Sequence, residues 1–135
     1  MKLVAPSLSL QLEPVRPVDS EGWVRVRASV IGGIFAGAFE AYLQLGDLRR
    51  FKEELELMYA QVGSPHEAVL SRHEPGIYVR LASNSMGQVE GTYEFENEDG
   101  SLAKLVGSFQ VDQSYLPALA ASTQELIASL SENVA

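Results

Sequence analysis

No cysteine occurs in this chain. Disulfide staples, thiolate zinc sites, iron–sulfur ligation and cysteine nucleophiles are thereby excluded. Histidine is scarce, with only His66 and His73. Basic charge is scarce as well: 10 Lys and Arg against 18 Asp and Glu leave a net charge of −8. That sign repels phosphate backbones and anionic bilayers, so neither nucleic acid nor a membrane is expected as ligand. It permits a basic partner, and it equally fits a surface charged for solubility. No apolar run approaches the roughly 18 residues of a membrane helix. The first residues, MKLVAPSLSLQLEPVRP, hold one Lys, an early Pro6 and no continuous apolar segment of signal length. They read as mature structure rather than a leader, and the expected location is the cytoplasm.

What is present is apolar material: 46% of the 135 residues are hydrophobic. A single domain over 1–135 is expected, with a core that stands without staples. SLSLQLE alternates strictly, so Leu8, Leu10 and Leu12 lie on one face of a half-buried strand. Pro14 and Pro17 end it. WVRVRASVIGGIFAGAFEAYL reads as two strands joined at Gly32-Gly33, two positions tolerant of positive φ. In that register Arg25 opposes Glu40 and Trp23 opposes Tyr42. Then the period changes. Leu48, Phe51, Leu55, Met58 and Val62 make a helical stripe over 46–62, with Asp47 as N-cap and Gly63 as stop.

A second hairpin is expected over 66–83, turning at Pro75-Gly76. A third is expected over 88–111. There Gly91, Tyr93 and Phe95 face inward and Glu90, Glu94 and Glu96 outward. A turn at Gly100 sets Phe95 opposite Ala103, Gly91 opposite Gly107 and Glu94 opposite Lys104. Leu116, Leu119, Thr123, Leu126, Ile127 and Leu130 make the last helical stripe, with Ser114 as N-cap. The expected fold is α+β: a single, mostly antiparallel sheet of about seven strands with two helices on one face. A weak tandem repeat of β-hairpin and helix divides it near 1–63 and 64–135. Gly37, Gly91 and Gly107 are expected where a helix approaches the sheet.

Chemical motifs are few. EFENEDGS, residues 94–101, is the most acidic short stretch. Strand-period flanks and outward carboxylates argue against a cation cage of the EF-hand type. Glu67 and Glu74, each next to a His, fall on the opposite face of a strand from it, so no metal set forms. No phosphate loop and no G-x-S-x-G elbow occurs. Arg25, Arg27 and Arg80 read either as a small basic patch or as partners of cross-strand acids. The expectation is a protein that is not an enzyme, with no catalytic, metal or cofactor residue. Trp23 and Tyr42 are candidate interface anchors if their face is open, or are buried under the N-terminal segment.

FEAYLQLGDLRRFKEELELMY at 39–59 and FQVDQSYLPALAASTQELIASL at 109–130 resemble a small bacterial family of WapI-like immunity proteins. The resemblance rests on a strand ending in EAYL, a helix opened by Asp47-Leu48 and Phe51, and the run Asp112, Gln113, Ser114, Tyr115, Leu116, Pro117. It implies a cytoplasmic protein that neutralises a cognate toxin, often a nuclease, by binding it. It brings no active site. A basic toxin would then meet Glu90, Glu94, Glu96, Glu98 and Asp99 of the acidic hairpin, or the outer face with Trp23 and Tyr42. The alternative is a small-ligand or scaffold domain, homo-oligomeric through an exposed sheet edge.

Overall fold

Leu8, Leu10 and Leu12 are all buried, on one face of a strand over Leu8–Pro14 (β2). A strand before it, Lys2–Ala5 (β1), turns back through Pro6-Ser7 so that Ala5 opposes Leu8. Trp23–Gly32 (β3) and Phe35–Gln44 (β4) complete an antiparallel sheet in the order β1-β2-β3-β4. The helix α1 spans Leu45–Ala60. A second antiparallel sheet follows: β5 (His66–Leu70), β6 (Ile77–Ser83), β7 (Val89–Glu96) and β8 (Lys104–Val111), in that order. A 3-10 turn over Gln113–Tyr115 leads into α2, Leu116–Glu132. The computed structural model describes residues 1–71, 76–97 and 103–132.

The single seven-stranded sheet is therefore corrected to eight strands in two sheets of four. The extra strand is β1, too short to show alternation beside Pro6. The division falls at α1: β4 ends where the helix begins, so β4 and β5 never pair. Four strands and a helix thus occur twice in succession. The helices do not lie on the face of one sheet. Leu48, Phe51, Leu55 and Met58 of α1, Leu116, Leu119, Leu126, Ile127 and Leu130 of α2, and the apolar faces of both sheets join one continuous core. Each large aliphatic or aromatic side chain so buried contributes about 1.5–3 kcal/mol.

Both long hairpins differ in register from the sequence expectation. Val26 opposes Ala41, Arg25 opposes Tyr42, and Gly32 opposes Phe35. The turn residues are Gly33 and Ile34, with Gly33 at φ +61°. Positive φ at the first central position alone is the pattern of a type II′ turn. In the third hairpin Phe95 opposes Leu105, Tyr93 opposes Gly107, and Gly91 opposes Phe109. The arms close with the Asn97 amide donating to the Ala103 carbonyl (3.3 Å). The expected turns at Pro75 and Gly100 lie outside the described residues. Each slip conserves the faces, because opposing partners move by two residues and the side-chain period is two.

Gly91 and Gly107 do not receive a helix. A Cβ on Gly91 would run into the ring of Phe109, and one on Gly107 into Tyr93. Each glycine makes room for the aromatic ring directly opposite. At α1, Asp47 sits within the first turn, as the third helical residue rather than at the cap, buried, and takes an ion pair from Arg50 (2.5 Å). Its carboxylate there faces the positive end of the helix dipole. Val62 lies beyond the helix and is half exposed. Asp112, not Ser114, caps the step into α2, accepting from the Ser114 amide (2.8 Å).

Candidate partner-binding surface

The outer face of the second sheet is built by the even-numbered residues of β7. Gly91, Tyr93 and Phe95 point inward, so Glu90, Thr92, Glu94 and Glu96 point outward. Tyr78 and Val106 flank Glu94, and Ala82 and Gln110 flank Glu90. Lys104 opposes Glu96 yet reaches diagonally to Glu94 (2.7 Å), so the expected ion pair forms in a shifted register. That hydrogen bond to Glu94, with the field of Glu94 and Glu96, raises the Lys104 pKa. Arg80 is raised likewise, first by its bond to Glu67. The Arg80–Glu67 pair measures 3.0 Å. On this face the described carboxylates Glu67, Glu90, Glu94 and Glu96 meet two cations, Arg80 and Lys104. Glu90 has neutral residues on both sides. Glu98 and Asp99 lie outside the described residues.

Trp23 and Tyr42 stand on the outer face of the other sheet, so the two sets of candidates are not brought together. Nor do the two rings oppose each other: Trp23 faces Gln44 and Tyr42 faces Arg25. Tyr42 instead has two guanidinium groups over its ring, Arg16 at 5.7 Å and Arg25 at 5.8 Å from the centroid. Arg25 also pairs with Glu40. Arg16 belongs to the segment between Pro14 and Pro17, so Tyr42 is partly roofed by the N-terminal connection. Sequence reasoning missed Arg16. Its signal was a lone Arg held between two prolines, which fix the backbone beside it. Arg25, Arg27 and Arg80 do not form one patch: Arg80 is on the second sheet and the others on the first. On that first outer face, Arg16, Arg25 and Arg27 meet Glu13 and Glu40. The two outer faces therefore differ in sign of charge.

Among the described residues no three His, Asp or Glu side chains converge on a cation position. His66 is held by its backbone, its amide donating to Ser83 Oγ (3.0 Å); His73 lies outside the described residues. The grooves on the surface are open. One of about 490 Å³ runs between the helices beside Leu55, Tyr59, Leu116 and Ala120. Another of about 290 Å³ lies beside Phe35, Phe39, Phe95 and Leu105. No described helix is long and apolar enough to cross a membrane.

This architecture defines an α+β protein of two four-stranded antiparallel sheets and two helices around one core, with carboxylates in excess over cations on the described outer face of the second sheet. The family model described as the immunity protein WapI-like family matches residues 6–131, and the chain belongs to that family. No curated protein matches the chain. Among solved structures it is similar to the plant transcriptional regulator PBF-2, at 12% identity and TM-score 0.49, over 98% of this chain and 81% of that one. It is also similar to WHY1 from Arabidopsis thaliana, at 8% identity and TM-score 0.48, over 96% and 83%. Likeness at that level carries no argument about function.

Proposed function

We propose that this protein neutralises a cognate toxin by binding it, without catalysis of its own and in the cytoplasm. Membership of the immunity family over residues 6–131 carries this reading. The contact surface in this account is the outer face of β6–β8, and the toxin surface is basic. The net charge of −8 and the carboxylate surplus around Glu90, Glu94 and Glu96 support it. A basic toxin active on nucleic acid would meet there a row of carboxylates in place of phosphates. Attraction of that kind mainly raises the association rate and fades with salt. Glu90 is exposed and Glu96 half-buried, both outside the core, so the surface can change charge without unfolding the protein.

The test is binding of the toxin encoded beside the gene, with Glu90→Lys and Glu96→Lys combined. The reading expects slower association of the variant at low salt and convergence with wild type at high salt. Equal association rates would move the contact elsewhere, and absence of any complex would end the immunity reading.

A further inference from the structure

Two four-stranded sheets have four edges, and three of them carry side-chain hydrogen bonds to their outward backbone groups. On β1 the Lys2 amide donates to Ser122 Oγ (2.7 Å) and the Val4 amide to the Tyr115 hydroxyl (2.9 Å). On β5 the Val69 amide donates to Glu54 Oε1 (3.2 Å), with α1 alongside. On β8 the Ser108 carbonyl accepts from Ser7 Oγ (3.1 Å), and Lys104 charges its start. The fourth edge, the outer half of β4, is different. Phe35, Ala36, Gly37 and Ala38 are all exposed. Ile31, Ile34 and Phe35 beside them are 55%, 92% and 61% exposed.

The hydrogen-bond direction follows from the turn. Its closing bond runs from the Phe35 amide to the Gly32 carbonyl, and bonding alternates along an antiparallel strand. Phe35, Gly37 and Phe39 therefore bond to β3, while Ala36 and Ala38 aim their amide and carbonyl groups outward. Among the described residues nothing bonds to them. The edge has no charge, proline or bulge over residues 31–39, the devices that usually protect such an edge.

We propose that a second copy of this chain docks antiparallel on this edge of β4, with the two-fold axis at Gly37. The segment Phe35-Ala36-Gly37-Ala38-Phe39 reads the same in both directions. An isologous contact needs such self-complementarity. With Gly37 opposite Gly37 of the second copy, each Phe35 meets a Phe39, and each Ala36 meets an Ala38. The two alanine pairs exchange four backbone hydrogen bonds. The phenylalanines lie on the side of the groove formed by Phe35, Phe39, Phe95 and Leu105, and close it from both copies. Nothing stands within 4 Å of a Cβ at Gly37, so a side chain placed there has room on the groove side of the sheet.

Magnitudes make this a weak dimer. The exposed parts of Ile34 and Phe35 with the alanines amount to roughly 300–400 Å² per copy. The pair buries about 700 Å², below the ~1,200 Å² of standard stable interfaces. Each copy also carries −8, so repulsion opposes association. Added salt therefore strengthens this contact, the reverse of its effect on a basic partner at the other sheet.

The absence of cysteine gives a direct test by single Gly37→Cys, since facing residues at a non-hydrogen-bonded pair stand within disulfide reach. Mild oxidation of Gly37→Cys is expected to give a cross-linked dimer roughly tenfold faster than Ile34→Cys at equal concentration. Sedimentation velocity of wild type is expected to show mass rising above 14.7 kDa with concentration and with salt. The Ala36→Lys, Ala38→Lys double variant is expected to stay at the monomer mass with unchanged melting temperature. Equal cross-linking of the two cysteine variants, or a wild type that stays monomeric at every concentration and salt, would overturn the proposal. So would a lysine variant that associates as well as wild type.

Discussion

A Cβ on Gly32, at the end of β3, would stand 2.7 Å from the hydroxyl oxygen of Tyr93 on β7. Gly32 is thus one of the places where one sheet touches the other. Phe39 and Phe95 lie beside this contact with ring centroids 6.1 Å apart, and Tyr93 stacks on Phe95 at 5.2 Å. The core joins across the sheets through these rings.

Gly32→Ala is expected to destabilise the protein by about 1–3 kcal/mol, because the added methyl overpacks a closed contact. Gly37→Ala, where the same methyl meets nothing, is expected to change stability by under about 0.5 kcal/mol. Urea denaturation of the two variants checks the contrast. Equal effects would mean that the sheets do not meet at Gly32.

Gly91→Ala is expected to cost more, because the methyl collides with the ring of Phe109 rather than with one hydroxyl. Shortening the ring should relieve the collision. Phe109→Leu alone loses packing, but in the Gly91→Ala background it is expected to cost less than it does in wild type. The coupling, on the order of 1 kcal/mol, is read from a double-mutant cycle in urea. Strict additivity would contradict the pairing.

Asp112 has a pKa below its usual 3.8, because its carboxylate accepts from Ser114 at the start of the 3-10 turn. A group depressed in the folded state adds stability above its unfolded pKa and loses it as pH falls through the folded value. Asp112→Asn keeps an acceptor oxygen and removes the titration. The advantage of wild type in melting temperature should be present at about pH 6 and should vanish well below 3.8. A constant offset across that range would assign the effect to something other than this carboxylate.

Strand identity was legible where alternation was long: β2, β3, β4, β7 and β8 appear where Leu, Val and the Glu row placed them. Register was not, and the reason is physical. Gly32-Gly33 looks like a two-glycine turn, but only Gly33 turns; Gly32 is small because Tyr93 is there. No local pattern reveals a contact between residues 32 and 93. The third hairpin did carry a readable cue. Setting each glycine opposite an aromatic, Gly91 with Phe109 and Gly107 with Tyr93, selects the observed register over the one that pairs glycine with glycine. Counting ion pairs misled in both hairpins, because Arg25 and Lys104 are long enough to reach Glu40 and Glu94 diagonally. The outward row Glu90, Glu94, Glu96 was legible from period two alone. The roofing of Tyr42 by Arg16 was not, since it depends on where the loop after Pro14 returns.

The central claim, that the carboxylate face of the second sheet receives a basic toxin, is tested most directly by titration calorimetry. The titrant is the toxin encoded beside the gene, and the samples are wild type and the combined Glu90→Lys, Glu96→Lys variant. Saturable binding, weakened about tenfold or more in the variant at low salt with unchanged melting temperature, is the expected result. Wild-type binding that the charge reversal leaves untouched, or no heat of binding at all, would contradict it.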